Sequence, residues 1–148
     1  MNDYQYELPN TIEEIYKSPL EMANIRNFLK KNTKRCLLLL ILYKLKVSKR
    51  KELARMVKED QRKLWYWLVF LINKGLLIDY NGKDLLVEEK YNELTKKIRK
   101  RYIEDTEGFA FHRKIPIIYY SLTKEGEDLI PFCCEVLNIK LTKADKNE

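Results

Sequence analysis

Cysteine, histidine, glycine and proline are all scarce: the 148 residues hold three Cys, one His, four Gly and four Pro. Cys36, Cys133 and Cys134 are too few and too unevenly spaced for a disulfide framework or a four-ligand zinc site. A reducing, cytoplasmic location without a bound metal is the expectation. Adjacent thiolates such as Cys133 and Cys134 invite comparison with soft-metal sensors. Neighbouring side chains on a helix diverge by about 100 degrees, however, and buried small hydrophobes are the better reading. His112 is the single imidazole, no Gly-rich phosphate loop occurs, and Asp and Glu are scattered among Lys and Arg. With no paired acid and base and no activated nucleophile, neither enzymatic activity nor a cofactor or small-molecule ligand is expected.

Long hydrophobic runs are missing too. The longest spans residues 36–42, flanked by Lys34, Arg35 and Lys44, far short of the roughly 18 residues needed to cross a bilayer. The opening Met-Asn-Asp-Tyr lacks a basic start followed by an apolar stretch, so export is not expected. Low-complexity tracts are absent, and 45% hydrophobic with 34% charged residues describes a globular chain. Its length suits one core of ordinary size with additions. Only residues 142–148 read as a loose tail.

Positive charge is present in excess and is concentrated. The net charge is +7. Residues 32–75 carry 12 Lys or Arg against 3 Asp or Glu, whereas 1–31 carry 4 against 5 and 76–148 carry 13 against 14. The whole excess belongs to one segment, as expected of a polyanion binder, because Lys and Arg displace counterions from phosphates. An ordinary solvated basic face is the alternative.

Capping patterns mark the helices. Thr11-Ile-Glu-Glu14 and Ser18-Pro-Leu-Glu21 both match Ser or Thr followed three residues later by Glu, and the second adds Pro at the first helical position. The second predicts a helix over 19–30 with Met22, Ile25, Phe28 and Leu29 on one stripe. Asn32 or Thr33 caps a helix through residue 46 that is apolar on most sides and therefore central. Ser48 caps a short helix with Leu53, Ala54 and Val57 inward. Asp60 opens another that ends at Gly75, a residue able to take the left-handed cap conformation without steric cost. Residues 76–80 and 115–122 read as strands, Asn81-Gly82 as a turn, and Thr123 as the cap of a last helix that Pro131 ends or kinks. Between the strands, Val87, Tyr91, Leu94, Ile98 and Tyr102 trace the stripe of an inserted helix over about 87–103. Lys96, Lys97, Arg99, Lys100 and Arg101 crowd its C-terminal half, which suits the helix dipole.

This succession resembles the winged-helix regulators of the MarR, ArsR and PadR type. The resemblance is carried by Glu52-Leu-Ala54, by the leucine-containing helix ending in Lys74-Gly-Leu-Leu-Ile78, and by Tyr119-Tyr-Ser-Leu-Thr-Lys-Glu-Gly126 leading into Leu129. It covers about 90 residues and implies a mainly α fold with a small β-hairpin wing. The expected domain is a winged helix-turn-helix over 32–130, flanked by a helical extension over 1–31 and a helix and tail over 131–148. Abundant Lys, Ile, Leu and Tyr also resemble the usage of a thermophile, archaeal or otherwise.

The resemblance implies sequence-specific binding of double-stranded DNA by a transcriptional regulator, with a recognition helix at about 61–74. The N-terminal part of that helix enters the major groove, so Gln61, Arg62, Lys63 and Tyr66 are the candidates for base contact. Gln61 qualifies by its place at the helix tip, since its helical phase turns it towards the core side. Lys49, Arg50 and Lys51, with Lys96, Lys97, Lys100 and Arg101 of the wing region, are the candidates for phosphate contact. A homodimer is expected, built on residues 19–30, on the inserted stripe, or on both. One feature departs from the family pattern. Val69 and Phe70 fall towards the outer face of the recognition helix and Trp65 and Trp67 flank it, so that helix is apolar nearly all round. Either neighbouring helices or a second subunit cover its C-terminal half, or the face docks a protein in place of DNA.

Overall fold

A computed structural model describes residues 19–107 and 116–139. The capping box at residues 11–14, His112, the first residue of the expected second strand and the C-terminal tail lie outside them. Among the described residues helices dominate, with one small three-stranded antiparallel sheet. The chain runs α1 (Pro19–Lys31), α2 (Thr33–Leu45), β1 (Ser48–Lys49), α3 (Arg50–Val57), α4 (Gln61–Asn73) and β2 (Leu77–Asn81). A 3-10 turn (Gly82–Leu86), α5 (Glu93–Asp105), β3 (Ile118–Leu122), α6 (Lys124–Glu127) and α7 (Ile130–Val136) follow.

Helix α2 is central, as its apolar run predicts. Asn32 caps it by accepting the Lys34 N–H at 3.0 Å, and Cys36, Leu38, Leu39 and Leu42 are buried. Around it pack α1 through Ile25 and Leu29, α3 through Leu53 and Val57, α4 through Leu64, Leu68 and Leu71, and α7 through Ile130, Cys133 and Cys134. The first and last of the described helices therefore share the core of the central segment. All three thiols are buried and none is in a disulfide.

β3 lies between the other two strands. It pairs with β2 from Leu77↔Leu122 to Asn81↔Ile118, and with β1 at Ser48↔Tyr120 and Lys49↔Tyr119. Side chains alternate across a strand. Ile118, Tyr120 and Leu122 join the main core, while Tyr119 turns the other way into a second cluster with Val47, Leu85, Ile98 and Tyr102. That second cluster exists because the inserted helix folds back over the far face of the sheet.

Several boundaries differ from the sequence expectation. Ser48 is not the cap of α3; it pairs in β1, and Lys49 takes the cap position. Glu52 accepts both the Lys49 N–H at 3.1 Å and the Ser48 hydroxyl at 2.9 Å, so the carboxylate satisfies the cap residue's own N–H, the reciprocal half of a capping box. Asn81-Gly82 opens a 3-10 turn and not a tight hairpin. Gly82 is required there by close approach, since a Cβ on it would lie 2.3 Å from the Tyr102 ring. The inserted helix begins at Glu93, capped by Asn92, so Val87 precedes it and is 73% exposed. The helix expected after Thr123 is divided into α6 and α7. Pro131 stands in the first turn of α7, where a missing N–H costs nothing.

The two stripes assigned to self-association are covered in part within one chain, with Met22, Phe28, Tyr91 and Leu94 partly buried and Val87 exposed. Ile25 and Leu29 of α1 and Ile98 and Tyr102 of α5 are buried against their own neighbours. Among the described residues, no helix is long and apolar enough to cross a membrane.

Candidate nucleic-acid interface

The turn from α3 to α4 sets the geometry. Lys58 ends α3 in the left-handed conformation, at φ 55° and ψ 54°, and Asp60 caps α4 by accepting the Lys63 N–H at 3.3 Å. Leu64, Trp67, Leu68 and Leu71 anchor α4 in the core. Gln61, Arg62, Lys63, Trp65 and Tyr66 are left exposed. Arg50, the first residue of α3, reaches the same place: Arg50, Asp60, Gln61, Arg62 and Trp65 line a shallow groove of about 430 Å³. Among the described residues Arg50, Lys51 and Arg62 form no ion pair. Their charge is available to phosphate or to acceptors on base edges.

Lys63 is more constrained. Its ammonium lies 3.9 Å from Glu59, whose other near cation is Lys34 at 3.4 Å. The Asp60 N–H, followed by Lys34 and Lys63, holds the Glu59 carboxyl below its ordinary pKa. Lys63 remains 54% exposed and able to reach outward. Gln61, the candidate with the least favourable helical phase, is exposed and lines the groove.

Two of the expected phosphate contacts have other partners. Arg101 pairs with Glu52 and donates to the Val47 carbonyl at 3.1 Å, and Lys49 pairs with Asp105 at 3.1 Å. Asp105 also accepts the Tyr119 hydroxyl at 2.7 Å. This network clamps α5 to β1, α3 and β3. Arg101 and Lys49 thus hold the inserted helix in place, a role invisible in the sequence because their partners come from 49 and 56 positions away. Lys96, Lys97 and Lys100 are exposed. Lys97 and Lys100 stand over a different groove, lined with Leu45, Met56 and Glu104, so the structure does not gather the wing-region lysines around Arg50 and Arg62.

The apolar character of α4 divides along its length. Phe70 stacks on Phe28 of α1, with ring centroids 3.8 Å apart and planes at 18°. Arg35 lies 4.0 Å from the Phe28 centroid and 5.3 Å from that of Trp67. Trp67 is only 3% exposed, whereas Trp65 and Tyr66 are 40% and 57% exposed. Neighbouring helices therefore cover the C-terminal half, and the aromatic surface that remains lies at the end bearing Arg62. Compared with known proteins, the chain matches no family model, no curated protein and no solved structure.

Proposed function

We propose that this is a winged-helix protein that binds double-stranded DNA in a sequence-specific manner, as a transcriptional regulator, with α4 as the recognition helix. The observation that carries the reading is the convergence of Arg50 and Arg62, which have no ion pair among the described residues, with the exposed amide of Gln61 at the joint of two helix starts. The element order α2, β1, α3, α4, β2, β3, with β3 central in the sheet, supports it, being compatible with a helix-turn-helix followed by a wing. In this reading Arg62, Gln61, Lys63 and Tyr66 face base edges, while Arg50 and Lys51 hold phosphates. Homodimerisation belongs to the same proposal because a two-fold pair doubles the phosphate contacts. Ile25, Leu29, Ile98 and Tyr102 are already packed within the chain and leave only the outer parts of the two stripes for an interface, and light scattering that returns a single-chain mass at every concentration would remove the dimer.

The exposed Trp65 and Tyr66 favour a second reading, in which the same face docks a protein. Salt separates the two. Duplex affinity should fall steeply with ionic strength, by about 0.9 in the logarithmic slope for each phosphate neutralised, whereas an aromatic protein interface responds weakly. Fluorescence anisotropy of the parent and of Arg62→Ala, on a preferred and a scrambled duplex at two salt concentrations, provides the test. Removing a base contact should cost about 1–3 kcal/mol on the preferred duplex alone. Equal losses on both duplexes would reduce Arg62 to a phosphate contact, and parent protein that binds neither would leave the protein-docking reading.

A further inference from the structure

We infer that Trp65, flanked by Tyr66, stacks on an unpaired nucleobase, so that the preferred ligand of the Arg50–Arg62 groove is a duplex carrying a single-stranded extension. The inference rests on the DNA-binding reading and specifies which form of DNA that site takes. It starts from the uneven treatment of one aromatic run. In Trp65-Tyr66-Trp67, the last ring is 3% exposed and held beneath Arg35, while the first two are 40% and 57% exposed. The exposed rings of α4 lie at its groove end, and further along Phe70 already has Phe28 as its partner.

The two exposed rings meet edge to face, with centroids 5.2 Å apart and planes at 67°. They are not stacked face on face: the edge of one ring meets one face of the other, and both rings keep much of their surface exposed. Trp65 lines the same groove as Arg50 and Arg62, which have no ion pair among the described residues. Asp60, the cap of α4, is the one carboxylate lining this groove, beside two guanidinium groups. An aromatic face next to guanidinium groups matches a nucleotide's two halves, base and phosphate. An intact duplex satisfies only the second half. Its grooves present base edges, and the flat faces of its bases are already stacked within the helix. A base beyond the end of the paired region has a free face, and stacking on an aromatic side chain tolerates any base because each has such a face.

The chain carries two tryptophans, one buried and one at the groove, so emission that changes with ligand reports chiefly on Trp65. Four probes are titrated: a blunt duplex, the same duplex with a short single-stranded extension, the same with an abasic extension that keeps the phosphates, and the single strand alone. The base-bearing extension should bind about 5- to 150-fold more tightly than the blunt duplex, the range expected for one stacked base, and should quench Trp65. The abasic extension should give neither effect. In Trp65→Ala, with circular dichroism as the folding control, the affinity ratio between extended and blunt duplex should fall to one. Tyr66→Ala should lower that ratio while keeping the Trp65 signal. Equal affinity for blunt, abasic and base-bearing duplexes, with unchanged fluorescence, would overturn the stacking inference and leave duplex binding intact. Equal quenching by the blunt duplex would also overturn it, placing Trp65 against base edges such as thymine methyls. Failure to bind any of the four would remove the DNA-binding reading and this inference with it.

Discussion

Glu52 sits where three donors converge: the Ser48 hydroxyl, the Lys49 N–H and the Arg101 guanidinium. Burial alone would raise its pKa, but the three hydrogen bonds and the Arg101 charge outweigh that and hold it below the usual value. The folded carboxyl therefore stays ionised to lower pH than an unfolded glutamate. Its contribution to stability is complete above the ordinary Glu value, near 4.3, and is lost as pH falls through the folded value. Replacing Glu52 by Gln should destabilise the fold by about 2 kcal/mol at neutral pH, the scale of a charge-assisted hydrogen bond. The gap between variant and parent should close in acid. Urea unfolding at neutral and acidic pH checks this, and a gap of constant size would show that the carboxylate charge is not what matters. Arg101 owes its stabilising position to the same cluster. Its sequence setting, a run of Lys and Arg on a helix, carries the signature of a phosphate contact, and only the fold reveals the carboxylate across from it.

At the scale of elements, legibility follows signal length. Helix α2 announces itself by an apolar run, α4 by its Asp60 cap and its Leu64, Leu68 and Leu71 stripe, and the end of α4 by Gly75 at φ +76°. Strand β1 has two residues, too few for any alternation to show, and exists because Tyr119 and Tyr120 offer it a ladder. The start of α5 is obscured in the sequence by Val87 and Tyr91, whose spacing fits the later stripe although both precede Asn92, the cap. The α3–α4 turn makes a separate prediction. Lys58 adopts the left-handed conformation, which costs an L-residue about 1–2 kcal/mol. Glycine relieves that cost but loses more entropy on folding. Lys58→Gly should therefore raise stability by up to about 1 kcal/mol, read as a higher denaturation midpoint. A lower midpoint would mean that the turn depends on the lysine side chain.

For the whole molecule, the question is whether its two exposed basic regions act together. The segment 32–75 holds the charge excess legible in the sequence, and the fold turns Arg50 and Arg62 from it into one groove. The lysines of α5 come from a segment of nearly balanced charge, and two of them, Lys97 and Lys100, stand over another groove, beside Leu45 and Met56. A duplex is long and regularly charged, so lysines away from the reading helix can still touch its backbone without reading sequence. Replacing Lys96, Lys97 and Lys100 together by Gln removes charge while leaving Arg101 in its clamp, so the fold should survive. If α5 lies along the backbone, affinity for preferred and random duplex should fall by the same factor. The salt slope should then decrease by about 0.9 for each phosphate that the lysines no longer neutralise. Arg62→Ala differs in kind, since it should change the ratio between the two duplexes. Anisotropy titrations of both variants at several salt concentrations separate the roles. Unchanged affinity and slope in the triple variant would confine DNA binding to the α3–α4 surface and leave the α5 lysines as a solvated face.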